Sequence, residues 1–234
     1  MSPPRLSVVV PLHNEAEILL ELVARLKGAV SAVDGGAEIV LVDDASTDAT
    51  ATLLAGIDGV QVVSLPQNLG QFRATCAGLD AASAAAVAVL DGDLQDPPET
   101  LPALLDALGD GELAFAVKTR REDPLWFRAG RTIYRALATL GKGVPPSGAG
   151  SYCVMAGDLA RRIAQCPWKA ANLASVAVTM AEAPGPWPQV EYAKSARYDG
   201  QSRVGFWGLV REALGSLWVT SGAGMRFGGP RKLQ

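Results

Sequence analysis

The sequence predicts an α/β protein with a mostly parallel central sheet and helices on both faces. Three observations predict it. Short β-branched runs alternate with segments of helical periodicity through the first half of the chain. The chain, at 234 residues, is long enough to bury one large core. And polar residues gather where the strands end, the rim at which such sheets bind ligands.

The elements follow in order. "LSVVVPL" (6–12) is the first strand, and residues 15–32 repeat apolar positions at helical spacing: Ile18, Leu19, Leu22, Leu26 and Val30. "AEIVLVDD" (37–44) is a second strand, followed by a helix in "STDATATLLAG" that Ser46 or Thr47 is expected to cap. "VQVVSL" (60–65), an Ala-rich helix over 70–83 and the strand "AVAVLD" (86–91) continue the pattern. Pro97 and Pro98 open a helix in "PPETLPALLDAL", and "ELAFAVK" (112–118) is a fifth strand. After residue 120 the regularity breaks. "DPLWFRAGRTIYRALATLGKG" is an amphipathic helix that sets Arg128, Arg131 and Arg135 on one side. A Gly/Pro/Ser stretch, a strand at 152–156, a short helix, a Pro-rich stretch at 184–188, strand-like "QVEYAKSA" and a last helix follow. The whole, 1–234, reads as one domain: a nucleotide-binding half over about 6–120, a more irregular half over about 121–220, and a basic tail over 221–234.

Composition excludes several classes. A net charge of −3 offers no global attraction for nucleic acid, so anion binding must come from local arginines. Cys76, Cys153 and Cys166 are odd in number, dispersed and without C-x-x-C spacing, which reads as reduced core thiols of a cytoplasmic protein. "LSVVVPL" is too short for a signal-peptide core, and no apolar stretch approaches the ~18–20 residues of a membrane helix. The expectation is a soluble chain, or one that sits on the inner face of a membrane.

The chemistry gathers at the strand ends. His13, Asn14 and Glu15 follow strand one, Asp43 and Asp44 end strand two, and Asp91 and Asp93 follow strand four. Three such clusters on one rim repel each other unless a cation or a donor-rich ligand sits among them. Asp91 and Asp93, with Gly92 permitting close approach, suit one hard divalent ion, Mg²⁺ or Mn²⁺, with Gln95 beside it. A lone D-x-D is also a common solvated loop, and Asp43 to Thr47 can act as a helix cap alone. His13, the only histidine, has no nucleophile partner in the sequence and reads as a rim contact. No GxGxxG follows strand one and there is no GxxxxGK[ST], so dinucleotide and P-loop readings lose their support.

Taken together, "LSVVVPLHNEAE", "EIVLVDDASTDAT", "NLGQFRATCAGLDAA" and "VLDGDLQDPPETLP" resemble the family 2 glycosyltransferases of GT-A fold. "LDGDLQDPPE" and "NLGQ" resemble their polyprenyl-phosphate branch in particular. The resemblance, over about 6–220, implies the following roles. Pro11, His13, Glu15, Val42 and Asp44 hold the base and ribose of a nucleotide sugar; Asp91, Gly92, Asp93 and Gln95 hold the metal and diphosphate. Arg120 and Arg128 match the family's arginine after strand five and the basic residue of the next helix, and "ARYDGQSRVGF" supplies Arg197, Ser202 and Arg203. Such guanidinium groups suit a phosphate. Three departures stand out. The membrane spans or helical hairpins of many bacterial members are absent, Gly92 stands where Ala is commoner (an exchange expected to be harmless), and "GAGSYCVMAG" matches only loosely.

The implied reaction is inverting transfer of a sugar from a nucleotide diphosphate to a polyprenyl phosphate. The alternatives are a hydroxyl acceptor, which needs a base such as Asp96 or Glu99, and a nucleotide-sugar-binding subunit without turnover. Residues 204–218, "VGFWGLVREALGSLW", present a broad apolar face with Phe206, Trp207 and Trp218, suited to packing on the sheet or to a membrane surface. With no span in the sequence, the chain is expected to touch the membrane peripherally or to borrow a membrane-embedded partner.

Overall fold

The computed structural model describes residues 4–119, 145–168 and 171–193. Among these residues seven strands form one sheet: β1 (Leu6–Leu12), β2 (Ala37–Asp43), β3 (Gln61–Ser64), β4 (Ala86–Val89), β5 (Leu113–Lys118), β6 (Ala149–Ala156) and β7 (Gln189–Tyr192). Their order is β3-β2-β1-β4-β6-β5-β7. The pairs β1–β2, β1–β4, β2–β3 and β5–β7 are parallel, while β6 runs antiparallel between β4 and β5. The mostly parallel sheet is as expected. The reversed strand brings its early residues to the rim where β4 and β5 end.

Because successive side chains of a strand point to opposite faces, the core divides in two. Leu6, Val8, Val10 and Leu12 of β1, with Ala88 and Leu90, pack under α1 (Leu19–Val30) and α4 (Leu101–Leu108). Val9, Val40, Val42, Val87, Val89, Cys153 and Met155 pack on the other face. There α3 (Gln71–Ala81), α5 (Gly157–Ala164) and α6 (Leu173–Met180) cover them. The three cysteines are free and buried, as expected of reduced thiols.

The elements differ from expectation at their edges. The first helix starts only at Leu19, because the backbone before it is bonded to the next loop. α2 (Thr50–Leu54) lacks a side-chain bond from the residue preceding it, Ala49. Asp48, rather than Ser46 or Thr47, accepts from the Thr50 N–H at 2.9 Å. Between β6 and the Pro-rich stretch, two helices stand where one short helix was expected. Every residue of α6 except Met180 is buried, so it shows no polar face for periodicity to reveal. Asn172 caps it by accepting from Ser175 N.

Candidate active site at the carboxyl rim of the sheet

Where β1 and β2 end, two loops are bonded together. Asn14, in the left-handed region at φ 58°, donates its N–H to Ser46 Oγ at 3.0 Å and accepts through Oδ1 from Thr47 N at 2.7 Å. Glu15 N donates to Thr50 Oγ1 at 2.9 Å, and Ala16 N to Asp48 Oδ2 at 3.2 Å. His13 Nδ1 lies 2.9 Å from the Asp44 carbonyl oxygen, which can only accept, so this nitrogen carries the hydrogen. Its Nε2 then accepts from the side-chain amides of Asn68, at 3.1 Å, and Asn14, at 3.3 Å. These bonds fix the His13 ring at the rim, and among the described residues its partners are Asp44, Asn14 and Asn68 rather than a nucleophile.

Three of the residues expected to meet the base and ribose are buried. Val42 is 0% exposed beneath α3 and contributes packing. Pro11, paired with it in register, is buried too. The Asp44 carboxylate, 3% exposed, accepts from Leu69 N at 2.7 Å and Gly70 N at 2.9 Å. Asp44 thus brackets the loop that launches α3, where Gly70 at φ +84° takes a turn that disfavours any side chain.

Beyond β4 the chain turns through the acidic loop. Gln95 N donates to Asp93 Oδ1 at 3.1 Å, and Leu94 sits in the left-handed region at φ 59°. The Asp91 carboxylate accepts from Gln71 Nε2 and from Ser151 Oγ, both at 2.6 Å. Burial pushes its pKa up to about 6, helped by repulsion from Asp96 and Asp93, while the Ser151 hydrogen bond and the Lys118 charge pull it back. A Cβ at Gly92 would lie 2.5 Å from Leu12 Cδ2, the movable end of a side chain, and 3.1 Å from the Pro11 carbonyl oxygen, so the close approach that Gly92 permits is to β1.

Gln95 lies inside rather than on the rim, at 2% exposure, with Nε2 lacking a partner. A buried donor without an acceptor is costly and suits a phosphate oxygen. These features fit a divalent cation under a diphosphate: excess negative charge, hard oxygens and an orphaned donor. Among the described residues no three His, Cys, Asp or Glu side chains converge as a metal cage. The protein would offer two carboxylates and leave the other positions to phosphate and water, as Mg²⁺-type sites do.

Both bases suggested for a hydroxyl acceptor already have a partner. Asp96 is 2% exposed and accepts from Tyr192 Oη at the end of β7. Glu99 is gripped side-on by Arg25, both bonds at 2.8 Å, so that the helix-opening turn is tied to α1. Arg120, Arg128, Arg131, Arg135, Arg197, Ser202, Arg203 and residues 204–234 lie outside the described residues. No helix among the described residues is long and apolar enough to cross a membrane.

Sequence reasoning missed four site residues: Gln71, Ser151, Lys118 and Tyr192. Lys118 ends β5, and its Nζ reaches within 3.7 Å of where a Gly150 side chain would begin. Its position after an apolar strand was a usable signal. Ser151 had none, because nothing in the chain announces that β6 runs backwards.

The model of glycosyl transferase family 2 matches residues 7–148, more than half of the chain. The chain belongs to that family. An undecaprenyl-phosphate 4-deoxy-4-formamido-L-arabinose transferase of Sodalis glossinidius is 39% identical over 134 residues, covering 55% of this chain and 41% of that protein. The match therefore spans about two fifths of that relative's length. An uncharacterized glycosyltransferase of Synechocystis is 28% identical over 227 residues, 92% of this chain and 69% of that one. Among solved structures, the glucosyl-3-phosphoglycerate synthase of Mycobacterium tuberculosis in complex with Mn²⁺, UDP and phosphoglyceric acid superposes with a TM-score of 0.66. It is 22% identical, covering 94% of this chain and 79% of that one, a likeness of fold. The family 2 chain thus has the GT-A type of fold expected from its motifs.

Proposed function

We propose that this family 2 chain transfers a sugar, with inversion, from a nucleotide-diphosphate sugar to a polyprenyl phosphate. The observation that carries the reading is the pair Asp91 and Asp93 beyond β4, buried enough to raise the Asp91 pKa to about 6 and flanked by Lys118. Such an arrangement favours a cation and the diphosphate that comes with it. Support for the lipid acceptor comes from the similarity to an undecaprenyl-phosphate sugar transferase over 134 residues. It comes also from the commitment of Asp96 and Glu99 to Tyr192 and Arg25.

A divalent ion, Mg²⁺ or Mn²⁺, held by Asp91 and Asp93 would neutralise charge developing on the departing diphosphate. Asn14, Asn68 and His13 line the rim beside Asp44, where the base and ribose would lie. An acceptor phosphate, with a second pKa of about 6, is already ionised at neutral pH and needs no base. What it needs is relief from repulsion, and Arg120, Arg128, Arg197 and Arg203, with Ser202, are the groups proposed to supply it. The site works from the cytoplasmic side, with the chain touching the membrane peripherally or through an embedded partner.

The test is transfer of label from a panel of nucleotide sugars to undecaprenyl phosphate in detergent with Mg²⁺ or Mn²⁺. Asp93→Asn is expected to lose about 10²–10³ in rate, the usual cost of removing one stabiliser of developing charge. A rate equal to wild type, or a preference for a hydroxyl acceptor, would overturn the reading.

A further inference from the structure

Asp91 is held unevenly. Among the described residues, both of its hydrogen bonds, from Gln71 Nε2 and Ser151 Oγ at 2.6 Å, fall on Oδ1 and neither on Oδ2. The donors come from opposite ends of the fold's logic. Gln71 is the first residue of α3, delivered over the sheet's end by the Gly70 turn and by the Asp44 bracket on the preceding loop. Ser151 arrives through the antiparallel register. Val89 of β4 faces Cys153 of β6, and extending both strands by two residues sets Asp91 against Ser151 on the same face, under α3. Lys118, the nearby cation, attracts Asp91 but makes no hydrogen bond to it.

The chemistry of the two donors matters. Both are neutral, so they orient the carboxylate without cancelling its charge. An arginine in their place would occupy both oxygens and remove the site's attraction for a cation. Donors of this kind behind a ligating carboxylate or imidazole govern how well it binds a metal.

We propose that Gln71 and Ser151 are positioning residues that clamp Asp91 by Oδ1 and leave Oδ2 to a divalent cation. The inference rests on the metal-site reading of Asp91 above. It makes the loosely matching segment around Ser151 part of the donor-sugar half of the site, because β6 supplies a partner to a carboxylate that ends β4.

The experiment titrates the full chain with Mn²⁺ in the presence of UDP and, separately, GDP, following free Mn²⁺ by its paramagnetic resonance signal. Ser151→Ala and Gln71→Met are each expected to weaken Mn²⁺ binding about 10-fold or more, the usual effect of removing such a partner. Ser151→Thr, which keeps the hydroxyl, restores it, and circular dichroism of every variant matches wild type. Wild-type affinity in both Ser151→Ala and Gln71→Met would overturn the clamp while leaving the metal site standing. Failure of the wild-type protein to bind Mn²⁺ with either nucleotide, or wild-type binding by Asp91→Asn, would overturn the metal reading and the clamp with it.

Discussion

At the scale of single residues, two carboxylates at opposite ends of the sheet show how environment assigns a role. Asp91, at the carboxyl rim, is pushed up to about 6 by burial and by its acidic neighbours. Glu38 lies at the other end, where β2 begins. Its Oε1 accepts from Ser7 Oγ and, at 2.7 and 2.9 Å, from Ser83 N and Oγ. Ser7 Oγ in turn accepts from Ala84 N at 3.0 Å. Burial works to raise the Glu38 pKa, but the hydrogen bonds from Ser7 and Ser83 outweigh it and hold the value below the ordinary 4.5. A depressed carboxylate pKa means that the folded state favours the charged form. Its contribution is complete above pH 4.5 and lost as pH falls through the folded value. Glu38→Gln, which keeps an accepting oxygen but loses the charge, is therefore expected to lower stability at neutral pH. It should also flatten the acid limb of the stability curve, measured by urea unfolding at a series of pH values.

At the scale of elements, α3 decides whether the rim assembles. It lies close on the sheet because Gly78 has no side chain: a Cβ there would stand 2.3 Å from Val9 Cγ1 and 2.9 Å from Val42 Cγ2. Replacing this glycine with alanine brings a gain in helix propensity of about 1 kcal/mol. Overpacking a core typically costs about 1–3 kcal/mol, and at 2.3 Å between rigid β-branched neighbours the clash dominates. Gly78→Ala is expected to lower the urea midpoint. It should also lift the helix's first turn, carrying Gln71 away from Asp91, so Mn²⁺ binding falls along with stability. The opposite ordering, a more stable protein, would show that α3 does not sit as close as described.

At the scale of the whole molecule, the rim is where separate parts of the chain meet. Tyr192 Oη reaches Asp96, while Thr119 N and Oγ1 both donate to the Tyr192 carbonyl at 2.9 and 2.8 Å. The end of β7 is thereby fastened both to the acidic loop and to the end of β5. A ligand bridging these groups should stabilise the fold as a unit. A nucleoside diphosphate with Mn²⁺ at 100 times its dissociation constant adds about 2.7 kcal/mol. For a chain of this size that raises the melting temperature by about 5–10 °C. Removing the ion with EDTA is expected to abolish most of the shift. A shift that survives chelation would place the nucleotide's grip in the His13 and Asn68 contacts alone.

The amino-acid chain alone specified the alternation of strands and helices, the mostly parallel sheet and the rim location of the acidic residues. Each of these rests on local pattern: apolar runs, helical periodicity and turn residues that follow one another along the chain. It also determined the family, because "LSVVVPLHNEAE", "EIVLVDDASTDAT", "NLGQFRATCAGLDAA" and "VLDGDLQDPPETLP" are contiguous motifs. Which polar residues meet depends on the folded arrangement of distant segments. Ser151 faces Asp91 because β6 is reversed, Tyr192 reaches Asp96 across 96 positions of chain, and Val42 and Asp44 turn inward because α3 and its loop close over them. Strand direction and long-range register depend on how the two faces of the sheet are covered, and no stretch of residues records that locally.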